Sequence, residues 1–212
     1  MSLYTPAHFE ATDRAATARL MHDHPFATLM TPVAPEPSIS HLPLLLLPGC
    51  EPHGTLIGHM ARANPHWRHG ASAESIAIFH GPHAYVSPTW FTDPVNAVPT
   101  WNYAVVHARG NVEVIDDPAE TRRVLDALVQ RFESSRAAPW QFAMSEARRD
   151  ALVGAIVAFR MRIRHVTAKF KLSQNRAGAD QRRIADALAA EPHADAAALA
   201  GWMRAYAAKP RE

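Results

Sequence analysis

Three short stretches concentrate hydrogen-bonding groups in a chain that is charged at only 20% of its residues. "KFKLSQNR", residues 169–176, sets two lysines, a serine, two amides and an arginine within eight positions. "GHMARANPHWR", residues 58–68, places Arg62 and Asn64 just ahead of a proline able to start a helical turn. A strand end leading into a helix N-terminus presents free N–H groups beside a guanidinium, an arrangement that suits a phosphate. The same residues also make an ordinary surface turn, with Asn64 capping the backbone and Trp67 packing inward. "VPTWNYAVVHARG", residues 98–110, sets Trp101, Asn102 and Tyr103 beside a strand. Rings with an adjacent amide can cover a planar heteroaromatic ligand and bond its edge, or they can fill a core and a turn. "HAYVSPTWF", residues 83–91, carries the same two readings through Tyr85, Trp90 and Phe91. Asp and Glu are absent from all of these stretches. Cations, amides and rings without carboxylates favour an anionic planar ligand over a metal or a cationic substrate.

Other chemistries find less support. The chain has no nucleophile elbow, Walker sequence or GxGxxG, and no carboxylate pair placed for hydrolysis. Its 13 histidines include the pairs His22 and His24, His66 and His69, and His80 and His83, but no HExxH accompanies them. With one cysteine, Cys50, no cysteine-based zinc set or intramolecular disulfide framework is available, and no metal site is expected. The 22 basic and 20 acidic residues leave a formal charge of +2, too small an imbalance to argue for DNA binding by charge alone. The apolar run "LPLLLLP", residues 42–48, is far shorter than the roughly 20 residues of a membrane span, and no signal pattern opens the chain. A cytoplasmic protein without a membrane partner is expected.

The elements that must position these groups follow from periodicity. The stretch from Ala11 to Met21 has helical spacing and ends before Pro25. Short apolar or alternating runs then recur between Pro, Gly and polar clusters: "FATLMT", "ISHLPLLLL", "GTLIGHM", "SIAIFHG" and "YAVVHARGNVEVI". They predict an antiparallel sheet or barrel. Gly110 and Asn111 between two β-rich runs predict a hairpin over residues 102–115. "DDPAE" reads as a helix start, with Asp117 as N-cap, Pro118 in the first turn and Glu120 reaching back to the cap N–H. A second helix is expected from about Ser145 to Gly154. From Phe159 the period becomes two, with Phe159, Met161 and Ile163 on a buried face and Arg160, Arg162 and Arg164 on the other. The arginine face reads as a solvated surface or as a ligand site. Two short amphipathic helices, near 180–190 and 195–208, close the chain and suit packing or dimer contact better than a DNA-reading helix-turn-helix.

In this order, "YTPAHF", "HPFATL", "HLPLLL", "GHMARANPHW", "GPHAYVSPTWF", "VPTWNYAVVHARG" and "KFKLSQNR" resemble the motifs of the PaiB-like family of FMN-binding negative transcriptional regulators, across roughly residues 4–176. The resemblance implies a mainly β, α+β fold: an FMN-binding split β-barrel of the pyridoxamine-phosphate-oxidase type over residues 1–176, with a helical extension at 177–212 packed on it. It also implies a homodimer with FMN in a cleft between subunits. By position in such barrels, Arg62 would hold the FMN phosphate, helped by Asn64 and His59. His41 would lie beside the ring, and Trp101 and Asn102 at its edge. Lys171, Ser173, Gln174 and Asn175 would close the site, from the same chain or its partner. The competing account of this last stretch extends Lys169 and Lys171 to solvent and uses Ser173 to Asn175 as a helix cap. The family implies a regulator acting on DNA directly or through another protein. Its rivals are an FMN-dependent oxidoreductase of flavin-reductase type and a haem-handling barrel suggested by the histidine count.

Overall fold

The computed structural model describes residues 3–47, 49 and 53–207. Cys50 and Pro48, on which the disulfide argument and the end of the apolar run rest, lie outside the described residues. Among the described residues, nine strands form two sheets. One has the order β2-β1-β5-β6-β9, from Ser38–Pro43, Phe26–Thr31, Ser75–Val86, Thr100–Gly110 and His165–Lys171. The other has the order β3-β4-β8-β7, from Leu45–Leu47, Thr55–Ala61, Ile156–Arg162 and Val112–Ile115. Six α-helices flank them: α1 Arg14–Asp23, α2 His66–Gly70, α3 Pro118–Glu133, α4 Glu146–Gly154, α5 Gly178–Ala190 and α6 Ala194–Ala207. The chain divides into two compact units, each built from segments distant in sequence. The first comprises the described residues of Met1–Asp23, His80–Val106 and Thr167–Glu212, and the second comprises His24–Phe79 and His107–Val166.

In the second unit the pairing of β4 with β8 runs from Thr55↔Arg162 to Ala61↔Ile156. Alternation along this pair separates two faces. Leu56, Phe159 and Met161 are fully buried on one. On the other, Ile57 and Ala158 pack with Ile115 under Val124 and Leu128 of α3. That helix starts as its sequence predicts: the Asp117 carboxylate accepts from the N–H groups of Ala119 and Glu120, and Pro118 follows the cap. Glu120 does not return to the cap. Its carboxylate accepts from Arg160 Nη1 at 3.0 Å, while Glu113 takes Arg160 Nε at 3.1 Å. The arginine face of β8 is therefore partly covered by α3 and engaged in an ion-pair network, whereas Arg162 and Arg164 remain exposed. Helix α4 begins at the expected Ser145, whose hydroxyl accepts from the Arg148 N–H.

The predicted hairpin over 102–115 does not form. Only Asn111 separates β6 from β7, and β6 neighbours β5 and β9 while β7 pairs with β8 in the other sheet. Gly110 serves a close approach instead of a turn: a Cβ built there would lie 2.1 Å from the Arg162 carbonyl oxygen, a contact no side chain can make. The local Gly-Asn signal was real, and the long-range partners of each strand determined where the chain went.

In the first unit, α1 begins at Arg14 because the Asp13 carboxylate accepts from the N–H groups of Ala15 and Ala16. Phe170 of β9 lies edge-on to Trp202 and Tyr206 of α6, with ring centroids 5.4 and 5.6 Å away. Ile184, Leu188, Leu199 and Met203 complete this core. The two C-terminal helices thus belong to one compact unit with residues 3–23, 80–106 and 167–176. No helix of the described residues is long and apolar enough to cross a membrane.

Candidate functional site

The candidate residues fall into one group in each unit. In the second unit, Asn64 follows β4 and organises the start of α2: its Oδ1 accepts from the His66 N–H at 3.0 Å and its Nδ2 donates to Ser40 Oγ at 2.9 Å. His66 is buried, with Nδ1 2.8 Å from Ser40 Oγ and Nε2 2.8 Å from Thr31 Oγ1. Thr31 in turn lies 2.6 Å from Ser75 Oγ. A consistent proton order runs through this chain. Ser40 accepts from Asn64 and donates to Nδ1, and neutral His66 then donates from Nε2 to Thr31. Sequence reasoning weighed His66 only as half of a histidine pair that could hold a metal, and passed over Ser40, Thr31 and Ser75. Their signal was the period-two placement of hydroxyls on the inward positions of β1 and β2, where Thr31 faces Ser38 and Leu29 faces Ser40.

Arg62 is exposed, and two of its donors are used within the unit: Nε donates to the Gly154 carbonyl at 2.7 Å and Nη2 to that of Ile156 at 2.8 Å. The guanidinium caps the C-terminal end of α4. Trp67 is half-buried, its indole N–H donating to the Arg62 carbonyl at 3.2 Å. His59, on the α3-facing side of β4, has a buried Nδ1 with no hydrogen-bond partner among the described residues, and burial lowers its pKa. His41 is exposed on the opposite side of the β1–β2 pair, 3.1 Å from Thr28 Oγ1.

In the first unit, alternation sends neighbouring residues of β6 to opposite faces. Asn102 is 1% exposed and donates to Ser173 Oγ at 2.9 Å and to Met203 Sδ at 3.6 Å, beneath α6. Trp101 is 53% exposed, with its ring 6.1 Å from that of His83 and 6.3 Å from that of Tyr85. Ser173 adopts a φ of 64°, in the left-handed region that costs a non-glycine residue about 1 kcal/mol. The Asn102 bond holds it there. Gln174 ties the same turn, accepting from the Leu172 N–H at 2.7 Å and donating to the Phe170 carbonyl, and Asn175 is exposed beside it.

Neither lysine of "KFKLSQNR" simply extends to solvent. Lys169 is buried, donates to the Tyr4 carbonyl at 2.9 Å and lies 5.6 Å from the Tyr103 ring centre. Lys171 donates to Thr100 Oγ1. Burial lowers its pKa, and Lys169 and Arg176 push in the same direction. Nor do Ser173 to Asn175 cap the next helix: α5 starts after Ala177, with no side-chain cap. The stretch is a strand end plus a tied turn, carrying a local excess of positive charge.

The model of the family described as "Putative FMN-binding domain" matches residues 3–165. The chain belongs to this FMN-binding-domain family. Within it, the chain is 30% identical over 204 residues to the protease synthase and sporulation protein PAI 2 of Bacillus subtilis (strain 168), covering 95% of this chain and 96% of that one. The PaiB-like character read from the motifs therefore holds. Among solved structures, the FAD and heme binding protein of Mycobacterium smegmatis superposes with a TM-score of 0.59 at 20% identity, over 76% of this chain and 73% of that one. The flavocytochrome Anf3 of Azotobacter vinelandii gives a TM-score of 0.59 at 14% identity, over 80% of this chain and 70% of its own. These likenesses establish the fold as the expected α+β split barrel of the pyridoxamine-phosphate-oxidase type.

The His66 network has a pH signature. Burial lowers the His66 pKa, the nearby His69 adds to the effect, and His59 is lowered by burial as well. As pH falls below about 6.5, the unfolded imidazoles take up protons before the native ones do. Stability present at neutral pH is then lost. The urea midpoint of the wild type is expected to fall between pH 7 and 5, and His66→Gln is expected to flatten that slope while costing about 1–3 kcal/mol at pH 7. A slope unchanged by His66→Gln would remove His66 as its source.

Proposed function

We propose that the protein binds FMN as a homodimer and acts as a flavin-dependent regulator of transcription. The observation that carries the flavin reading is the charge at the end of β9. Burial first, and then Lys169 and Arg176, raise the cost of keeping Lys171 protonated, and a phosphate or other anion would relieve it. The rings of Trp101 and Tyr85 stand open on the same unit, with faces suited to a planar heteroaromatic. These residues fit a phosphorylated flavin. FMN, when bound, supplies reversible electron transfer at its ring system. Lys171 would hold the anionic group and Trp101 would orient the ring, while Asn102 and Ser173 fix the turn from behind. Arg62, Asn64, His41, Gln174 and Asn175 are secondary candidates, since Arg62, Asn64 and Gln174 already donate within the fold and His41 is hydrogen-bonded to Thr28.

Dimer formation is supported by the outward face of β1, β2 and the start of β5 in the second unit. Phe26 and Ile39 are exposed there, Met30, Ile76 and Ile78 are half-buried, and the register sets Met30 beside both Ile39 and Ile76. Positions 26, 28, 30, 39, 41, 43, 76 and 78 include no Asp, Glu, Lys or Arg. An apolar sheet face of this kind marks an interaction surface, and a second copy is the occupant proposed. The regulatory role follows the PaiB-like family.

Titration of flavin-free protein is expected to give tighter binding of FMN than of riboflavin. Lys171→Met should lower FMN affinity by about 10- to 100-fold, corresponding to about 1.5–3 kcal/mol. It should leave riboflavin binding and apo thermal stability undiminished; equal binding of FMN by wild type and variant would end the Lys171 assignment. Ile39→Asp should convert a species of two chains into a single chain in sedimentation, and a wild type that sediments as one chain would refute the dimer. Genomic DNA fragments captured by the FMN-loaded protein should be enriched in one sequence, bound at least about 1000-fold more tightly than bulk DNA and weakened linearly in log affinity by log salt. Indiscriminate capture would rule out a direct repressor.

A further inference from the structure

Lysine is scarce in this chain. Of its 22 basic side chains 19 are arginines, and the lysines are Lys169, Lys171 and Lys209, the last outside the described residues. Two of the three therefore stand two positions apart on β9, where alternation sends both side chains to one face. If that face needed only fixed positive charge, arginine would serve at least as well, because a guanidinium stays protonated and forks onto anions. An amine differs in one respect: without its proton it is a nucleophile.

The surroundings of Lys171 favour that loss. It is half-buried, and its Nζ is directed by the bond to Thr100 Oγ1. Burial first, and then the charges of Lys169 and Arg176, hold its pKa below the ordinary lysine value. Lys169 itself is buried, with Nζ 2.9 Å from the Tyr4 carbonyl oxygen and the ring centres of Tyr4 and Tyr103 5.3 and 5.6 Å away. Its charge acts on Lys171 while its own amine is enclosed. Arg176 lies against Phe91, 5.1 Å from the ring centre, and forms no ion pair among the described residues. Asp180 acts on Arg176 only at longer range, its Oδ1 taken by the N–H and hydroxyl of Thr92. A nucleophile flanked by cations suits an electrophile whose leaving group is an anion.

We propose that Lys171 is a site of Nε-acylation by acyl phosphates, with the charges of Lys169 and Arg176 stabilising the departing phosphate. The neutral amine attacks the carbonyl carbon of the acyl phosphate. A C–N bond forms, the C–O bond to phosphorus-bound oxygen breaks, phosphate leaves with the bonding pair, and the proton of the amine passes to water. The product is an uncharged amide. Acylation does not depend on the flavin reading, and only its consequence, loss of the charge assigned to the FMN phosphate, rests on that reading.

Incubation of the flavin-free full chain with acetyl phosphate tests this, with modification of each lysine followed by peptide mass spectrometry. Lys169 and Lys209 are comparison amines in the same molecule. At about pH 7.5, Lys171 is expected to be acetylated about tenfold faster than either, and the preference should shrink as pH rises to about 10, where ordinary lysine amines also lose their protons. N-acetylimidazole, which is uncharged and releases imidazole, should show a smaller preference for Lys171. Arg176→Gln should slow the reaction with acetyl phosphate by about threefold or more, and the reaction with N-acetylimidazole by less. Any of three results would overturn the proposal: equal rates at Lys171 and Lys209, faster modification of Lys169, or the same preference with both reagents. The acetylated protein is then titrated with FMN, and about tenfold weaker binding than by the unmodified protein is expected. Unchanged FMN affinity would remove Lys171 from the flavin site and leave the acylation rates standing, so the two readings fail separately.

Discussion

The second unit depends on the antiparallel register of β4 with β8. Once Gly58 lies opposite Phe159 and His59 opposite Ala158, one face of the pair is committed to a dry interior and the other to α3. A slip of one residue would turn Phe159 and Met161 outward and Arg160 inward, since side chains alternate strictly along a strand. The same register brings the end of β4 beside the start of β8, where the Arg62 N–H bonds the Ala155 carbonyl and its guanidinium reaches residues 154 and 156. The loop that carries Asn64, His66 and Trp67 leaves from that fixed point. A binding surface made of loops is only as well placed as the strands that launch them.

Buried hydrogen bonds then decide what each loop can do. Asn64 and His66 hold the turn after β4 by bonds to hydroxyls on other elements, and Asn102 holds the left-handed Ser173 in the first unit. In both units an amide conspicuous in the sequence supports the structure behind the exposed groups. The exposed rings of Trp101 and Tyr85 stand beside this scaffold, while the half-buried amine of Lys171 spends one bond on Thr100 Oγ1. Preorganisation of this kind lowers the entropy lost on binding.

Much of this was legible in the chain. Period two at 159–163 located the central strand of the second sheet, and the Asp117-Pro118 pair located the start of α3, because both signals act within a few residues. The motifs identified the family and with it the barrel. What could not be read was orientation. Asn102 and Trp101 are adjacent and equally suggestive, yet one is sealed under α6 and the other is open, a distinction set by a helix a hundred residues later. Gly110-Asn111 failed for the same reason: a hairpin is a local preference, and β6 and β7 each had stronger partners far along the sequence.

The interleaving of the two units has a consequence for how the protein is made. The Ala11 N–H bonds the Ala168 carbonyl, and the carbonyl of Tyr4 accepts the amine of Lys169. Tyr4 and Ala11 therefore find these partners only after more than 150 further residues have been synthesised. The second unit, by contrast, has all its strands once Val166 is in place. Contacts so distant in sequence slow folding and leave early segments exposed while they wait. The order of synthesis thus favours completion of the second unit before residues 4–11 can pair with β9.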